Sequence, residues 1–382
     1  MKKSLVLMAM AGVALASCVN EVADVAQQEQ KKSIIGFETP VLYNNAESRA
    51  NVYGEIGNTA IGTGSVSYPK PTTSGGVTIP GETFVIYSVK HTSTITEWPA
   101  SPNYSAFSGS EVSYDESLGG WAPKTTTGNY YYWSDQSYLS FAASSPFDLE
   151  QASGWNADTK RYFSQANGLT IEDYEVRPIG NQYDLLYTDA ILNKSMTDYN
   201  ESAGTNGYNG VILQFKHALS SIHIAVRKNE GNTDNIILTD AKIINVKNKG
   251  TFHSIVTSPT KNWTPDNQSS KTDYIMLENG SIAFPEVSTH ITQLTGGDQA
   301  NYLLIMPQEL TTDHKLVVEY TINGAPFSKE ISLVNYTVKE WVMGYRYTYE
   351  LNVSSSSESH KKIYFAPQTA AWDDGGTVVI NM

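Results

Sequence analysis

In "HKLVVEYTINGAPFSKEISL", His314 to Leu333, apolar and polar residues alternate on both sides of Asn323-Gly324. A side-chain period of two belongs to a β-strand. Asn-Gly suits a two-residue hairpin turn because both central positions need φ > 0. The same alternation recurs along the chain. "GVILQFKHALSSIHIAVRK" sets Val211, Leu213 and Phe215 against Ile212, Gln214 and Lys216. It then sets Ile222, Ile224 and Val226 against His223, Ala225 and Arg227. "GYRYTYELNVS" places Tyr345, Tyr347, Tyr349, Leu351 and Val353 on one face. "GETFVIYSVK" is apolar on both faces and predicts a central strand. "NYYYWSDQSYLSFAASSPF" predicts two strands joined at Ser134-Asp135-Gln136, with Leu139 and Phe141 inward. "SIIGFET" places Ile35 and Phe37 on one side of a first strand over Ser33 to Leu42.

Helical periodicity is nearly absent. Only Leu149 to Tyr162 has a weak helical pattern, and Gly154 interrupts it. Short strands at regular spacing dictate an all-β fold of sandwich type. A length of 382 residues argues for two domains, 33–205 and 206–382. Their boundary falls in the Gly- and Asn-rich stretch Thr197 to Gly210, which also fits a long hairpin loop inside one domain.

The only cysteine is Cys18. Before it stand a basic head, Lys2-Lys3, an apolar run of about ten residues, and Leu15-Ala16-Ser17. The run is too short to span a bilayer and has the form of a secretory signal, residues 1–17. Small residues just before a thiol match a bacterial lipobox, in which Cys18 carries the lipid. Two or more acyl chains hold a protein stably, at about 0.8 kcal/mol per buried methylene. With no second thiol the exported chain must fold without a disulfide. Residues 18–32 are polar and read as a flexible tether.

Formal net charge is −13, which argues against nucleic acid as a partner. Charged residues make up 17% while Tyr reaches 24 and Gly 28, a composition suited to extracellular β-proteins. The chain has no GxSxG, HExxH or phosphate-cradling glycine loop, so the sequence supports no catalytic residues, metal or cofactor. His217 reads as a packed residue, and Asp373-Asp374-Gly375-Gly376 as a turn. Trp133 and Trp341 sit in or beside alternating runs and belong in a core. Trp98, in "TEWPASP", is the tryptophan placed on a loop, where an exposed ring would suit sugar stacking.

Six stretches stand in an order that resembles fimbrillin-like (Mfa-like) lipoproteins, the relatives of type V pilins. They are "YYYWSDQSYLSFAASSPF", "YDLLYTDA", "VILQFKHALSSIHIAV", "NYLLIMPQEL", "EWVMGYRYTYELNV" and "KIYFAPQTAAWDDGG". The resemblance runs from about Ile34 to the C-terminus. It implies two transthyretin-like β-sandwich domains and a lipoprotein anchored in the outer membrane. It further implies trimming after an arginine, which frees the first strand and lets a neighbouring subunit donate one. Arg49 is the first arginine, in "AESRANVYG", so the cut would fall between Arg49 and Ala50. It would release Ile35, Phe37, Val41 and Leu42. In the tail "GGTVVINM", Val378, Ile380 and Met382 alternate with Val379 and Asn381 and form the candidate donor strand. Implied partners are other pilin subunits, the outer membrane through its lipid, and host or bacterial surface ligands. A non-polymerising adhesin or glycan-binding lipoprotein is the alternative reading.

Overall fold

The computed structural model describes residues 35–37, the strand backbones at 41–42, 48–49, 58–59, 72–74 and 77–79, most of 83–353, and the strand backbone at 363–371. Within 83–353 the stretches 101–106, 148–159, 196–209 and 291–302, with some shorter ones, lie outside the described residues. So do Cys18, the 18–32 tether, Ala50, Val378, Ile380 and Met382. Every regular element among the described residues is a β-strand, so the fold is all-β, built from several mainly antiparallel sheets.

The hairpin forms as its sequence dictates. Strands Lys315–Ile322 and Ala325–Ser332 pair without a register shift, from Lys315↔Ser332 to Ile322↔Ala325. Asn323 and Gly324 take φ of 49° and 83°, the left-handed conformation that the turn demands. Inward residues Leu316, Val318, Tyr320 and Ile322 are buried. The hairpin continues into Ile236–Lys247 and then Lys271–Leu277, making one sheet.

A second sheet centres on Ser220–Lys228. It pairs in parallel with Tyr345–Val353 and antiparallel with Leu303–Ile305 and Thr289–His290. Outside Tyr345–Val353 lies Ile363–Ala371, paired along its whole length. Tyr347, Tyr349 and Leu351 are buried as their alternation predicts, whereas Tyr345, at the strand's first position, is exposed.

The sheet that positions the functional site runs in the order Val41–Leu42, Gln214–His217, Leu186–Tyr187, Tyr138–Ser145, Phe84–His91, Phe107–Asp115, Gly120–Pro123. Phe84–His91 is central, and its two faces feed two different cores. Phe84 and Ile86 enter a core with Phe141, Trp121 and Phe215. Val85, Tyr87 and Val89 enter the larger core, which also holds Ile171, Phe252 and Trp263. A strand covered on both sides has no polar face, which explains its unbroken apolar run. Strands on either side of residue 205 share sheets. Gln214–His217 joins the strands from 84–187, and Gly168–Glu175 pairs with Lys249–His253.

Two local expectations differ from the structure, and a third, Trp98, is met in part. Before Tyr138–Ser145 the described residues of "NYYYW" form no strand, although Trp133 is buried. The end of the supposed helical stretch, Lys160–Ser164, is a strand; residues 149–159 lie outside the described ones. Trp98 does sit in a loop, but it is buried, its ring 4.4 Å from that of Phe163. A neighbouring sheet covers it, so no exposed ring is available there for stacking on a sugar.

Candidate functional site: the seam at residues 35–42

The first sheet has two ends, Gly120–Pro123 and Gln214–His217, and one segment joins them. Phe37 is bridged antiparallel to Trp121 and parallel to Val211. Phe37 N–H donates to the Trp121 carbonyl at 2.6 Å, and Trp121 N–H donates back to the Phe37 carbonyl at 3.0 Å. On the other side Val211 N–H donates to the Gly36 carbonyl at 2.9 Å. Ile35 N–H donates to the Tyr131 carbonyl at 2.8 Å. Further on, Val41–Leu42 pairs in parallel with Gln214–Phe215. Residues 35–37 and 41–42 thus link the two ends of the sheet into a ring around its own core.

Side chains bind this segment as firmly as backbone. Phe37 is fully buried and Ile35 nearly so. The Phe37 ring meets Phe84 and Phe141 edge-on, with centroids 6.0 and 5.6 Å apart. Edge-to-face contacts of this kind contribute about 0.5–1.5 kcal/mol beyond area burial. Burying Ile35 and Phe37 stabilises the segment by roughly 1.5–3 kcal/mol each. The four backbone bonds add about 0.5–1.5 kcal/mol apiece. The walls of the slot are Trp121, which leans on Phe84 at 5.7 Å, and Val211, Leu213 and Phe215, all buried.

One wall strand has its own anchor. His217 Nδ1 lies 2.7 Å from Asp184 Oδ2, with both side chains buried. His217 pairs in register with Leu186, so the contact ties Gln214–His217 to its other neighbour, Leu186–Tyr187. The wall therefore has support independent of residues 35–42. No cluster of three or more His, Cys, Asp or Glu suited to a metal occurs among the described residues.

Alternation marked Ile35, Phe37, Val211, Leu213 and Phe215 as inward, and the structure brings them together. Trp121 was not singled out as a wall. Its strand is four residues long, too short to show a period. Arg49 falls in Ser48–Arg49, which pairs antiparallel with Asn58–Thr59 as a two-stranded ribbon separate from the ring. A protease acting there must first open that ribbon.

Among solved structures, a fimbrial protein from Bacteroides vulgatus ATCC 8482 is similar at 18% identity, TM-score 0.52, over 76% of this chain and 92% of that one. A protein from Bacteroides uniformis ATCC 8492 with a provisional cell-adhesion role is similar at 15% identity, TM-score 0.45, over 76% and 91%. No curated protein matches the sequence. The fimbrillin-like family model matches residues 80–372, most of the chain, and on that match the chain belongs to the fimbrillin-like family.

Proposed function

We propose that this chain is a cell-surface fimbrial subunit or accessory pilin that assembles by strand exchange at the 35–42 seam. Family membership supports the pilus-related surface role. The observation that carries the mechanism is the ring closed by a single segment close to the N-terminus. In this reading Cys18 carries the lipid that holds the precursor at the outer membrane. Cleavage between Arg49 and Ala50 cuts the closing segment from the rest. Its loss exposes an aromatic slot and two unpaired strand edges, a combination that recruits another strand. Donated backbone bonds give affinity, and the sites left by Ile35 and Phe37 set register through alternate side chains.

The donor we propose is the C-terminal strand of a neighbouring subunit, with Val378, Ile380 and Met382 presented at the same two-residue spacing. The strand ahead of it, Ile363–Ala371, lies in its own sheet, so the donor begins beyond Ala371. The reading includes the two transthyretin-like sandwiches that the sequence resemblance implies, with the strand Gln214–His217 completing the first.

The test is to treat the full chain and its Arg49→Ala variant with an arginine-specific protease and follow polymer formation by electron microscopy. Wild-type protein should lose its N-terminus and form fibres, while the variant stays monomeric. Fibres from both at equal rates would remove Arg49 from the mechanism.

A further inference from the structure

Apart from the seam, the structure contains a cavity of about 760 Å³ beside the sheet that carries Lys249–His253 and Trp263–Pro265. The size falls in the range of small-ligand sites. Its floor is rigid. Gln308, buried, donates through Nε2 to the carbonyls of Lys247 and Met306, both at 2.9 Å, and accepts from Lys247 N–H at 3.1 Å. His314, also buried, accepts from Thr311 N–H through Nδ1 at 2.9 Å and faces Gln308 Oε1 through Nε2 at 3.3 Å. That pattern requires a neutral imidazole protonated on Nε2. Burial holds its pKa below the ordinary histidine range, and the charges of Lys271 and Lys247 push the same way. Trp263, Pro307 and Trp341 supply apolar wall.

Three lysines line the cavity, and they are not equivalent. Lys261 pairs with Glu309 at 3.0 Å and with Glu340. Lys271 pairs with Asp313 at 3.3 Å. Lys247 is half-buried and has no carboxylate partner among the described residues. In a chain of net charge −13, an ammonium with no carboxylate within ion-pair distance among the described residues is a site for an anion. The amides around it complement hydroxyls. Asn262 and Asn245 use Nδ2 on the carbonyls of His253 and Asp313, at 2.8 and 2.9 Å. Their Oδ1 atoms, like the Thr264 hydroxyl, receive no donor among the described residues. The lining carries three lysines and three carboxylates, and Lys247 is the ammonium left outside their ion pairs; with several open acceptors and apolar walls it matches a ring that carries a carboxylate, hydroxyl donors and C–H faces.

We infer that this cavity binds a carboxylate-bearing saccharide, with the carboxylate on Lys247 and ring hydroxyls donating to Asn245 and Asn262. The site shares no residue with the seam, so it holds or fails whether or not the chain polymerises. The probe is a galacturonic acid trisaccharide titrated calorimetrically into the full chain, beside its methyl ester and a hexapeptide of glutamate. The acid should bind at least about tenfold tighter than the ester, a difference of one charged contact. Lys247→Met should remove that advantage, and Lys247→Arg should keep it. Should Lys247→Met fail to fold, Asn262→Ala must weaken acid and ester alike. Equal affinity for acid and ester, no measurable binding, full affinity in Lys247→Met, or equally tight binding of the hexapeptide would overturn the assignment.

Discussion

The 315–332 hairpin and the 35–42 seam are both β-pairings in one chain, yet they are held by different means. In the hairpin the partners are adjacent in sequence, and the Asn323-Gly324 turn sets the register before any packing occurs. Little loop entropy is lost in closing it. In the seam the partners are Phe37, Trp121 and Val211, with no turn between them. Their register rests on side-chain sites and four backbone bonds. A pairing set by its own turn belongs to its own chain. A pairing set by packing accepts any strand with the right side chains, which is what subunit exchange requires.

The strongest challenge to that contrast is Phe37→Ala. Removing a fully buried ring from an aromatic cluster costs about 3–5 kcal/mol. The denaturant midpoint should drop accordingly, and amide exchange at Trp121 and Val211 should quicken while the hairpin amides keep their protection. An unchanged midpoint would mean that the ring closes without this side chain. Gly324→Ala is the counterpart in the hairpin. No atom lies within 4 Å of the added methyl, so the cost is that of the left-handed backbone alone, about 1–2 kcal/mol. Its effect on exchange should be confined to Lys315–Ser332. Loosening at Trp121 instead would show the two regions to be coupled.

The same contrast explains what could be read from the sequence. The hairpin was legible in full because both of its determinants, alternation and Asn-Gly, are local. The central strand Phe84–His91 was legible because burial on two faces leaves an unbroken apolar run. The seam was half legible. Alternation marked Ile35 and Phe37 as inward, but their partners are set by tertiary packing, and Gly120–Pro123 is too short to carry a period. Trp98 was legible as a loop residue, but its burial was not local. Glu97 and Pro99 give it a loop-like, polar context, and only Phe163, from another sheet, decides that it is buried. Nothing in the alternation marked the stretch around Arg49 as paired, and the structure pairs its backbone in a short ribbon.

Acid should act on the base of the hairpin. His314 precedes Lys315, and its carbonyl accepts from Leu333 N–H at 2.9 Å. Burial, the largest cause, lowers its pKa in the folded state. The unfolded chain therefore binds the proton first, at about pH 6.5, and the folded chain only at lower pH. The stabilisation is complete above the unfolded value and is lost as pH falls from there toward the lowered one. His314→Gln, which does not titrate in this window, should flatten the stability profile between about pH 7 and 5 relative to wild type. Parallel profiles would show that His314 does not set it.

The smallest effect concerns Lys315 and Glu330, which meet at 2.5 Å across the hairpin's two strands. Both side chains are exposed, at 36% and 57%, so solvent screens the pair and side-chain entropy opposes it. A double-mutant cycle with Lys315→Ala and Glu330→Ala should give about 0.2–1 kcal/mol. In 1 M salt, where the Debye length is about 3 Å, most of that should vanish. A coupling above this range, or one insensitive to salt, would mean that the hairpin depends on a charge contact as well as on its turn. The distinction from the seam, where the described residues 35–37 are held by packing and backbone bonds, would then be one of chemistry in addition to sequence separation.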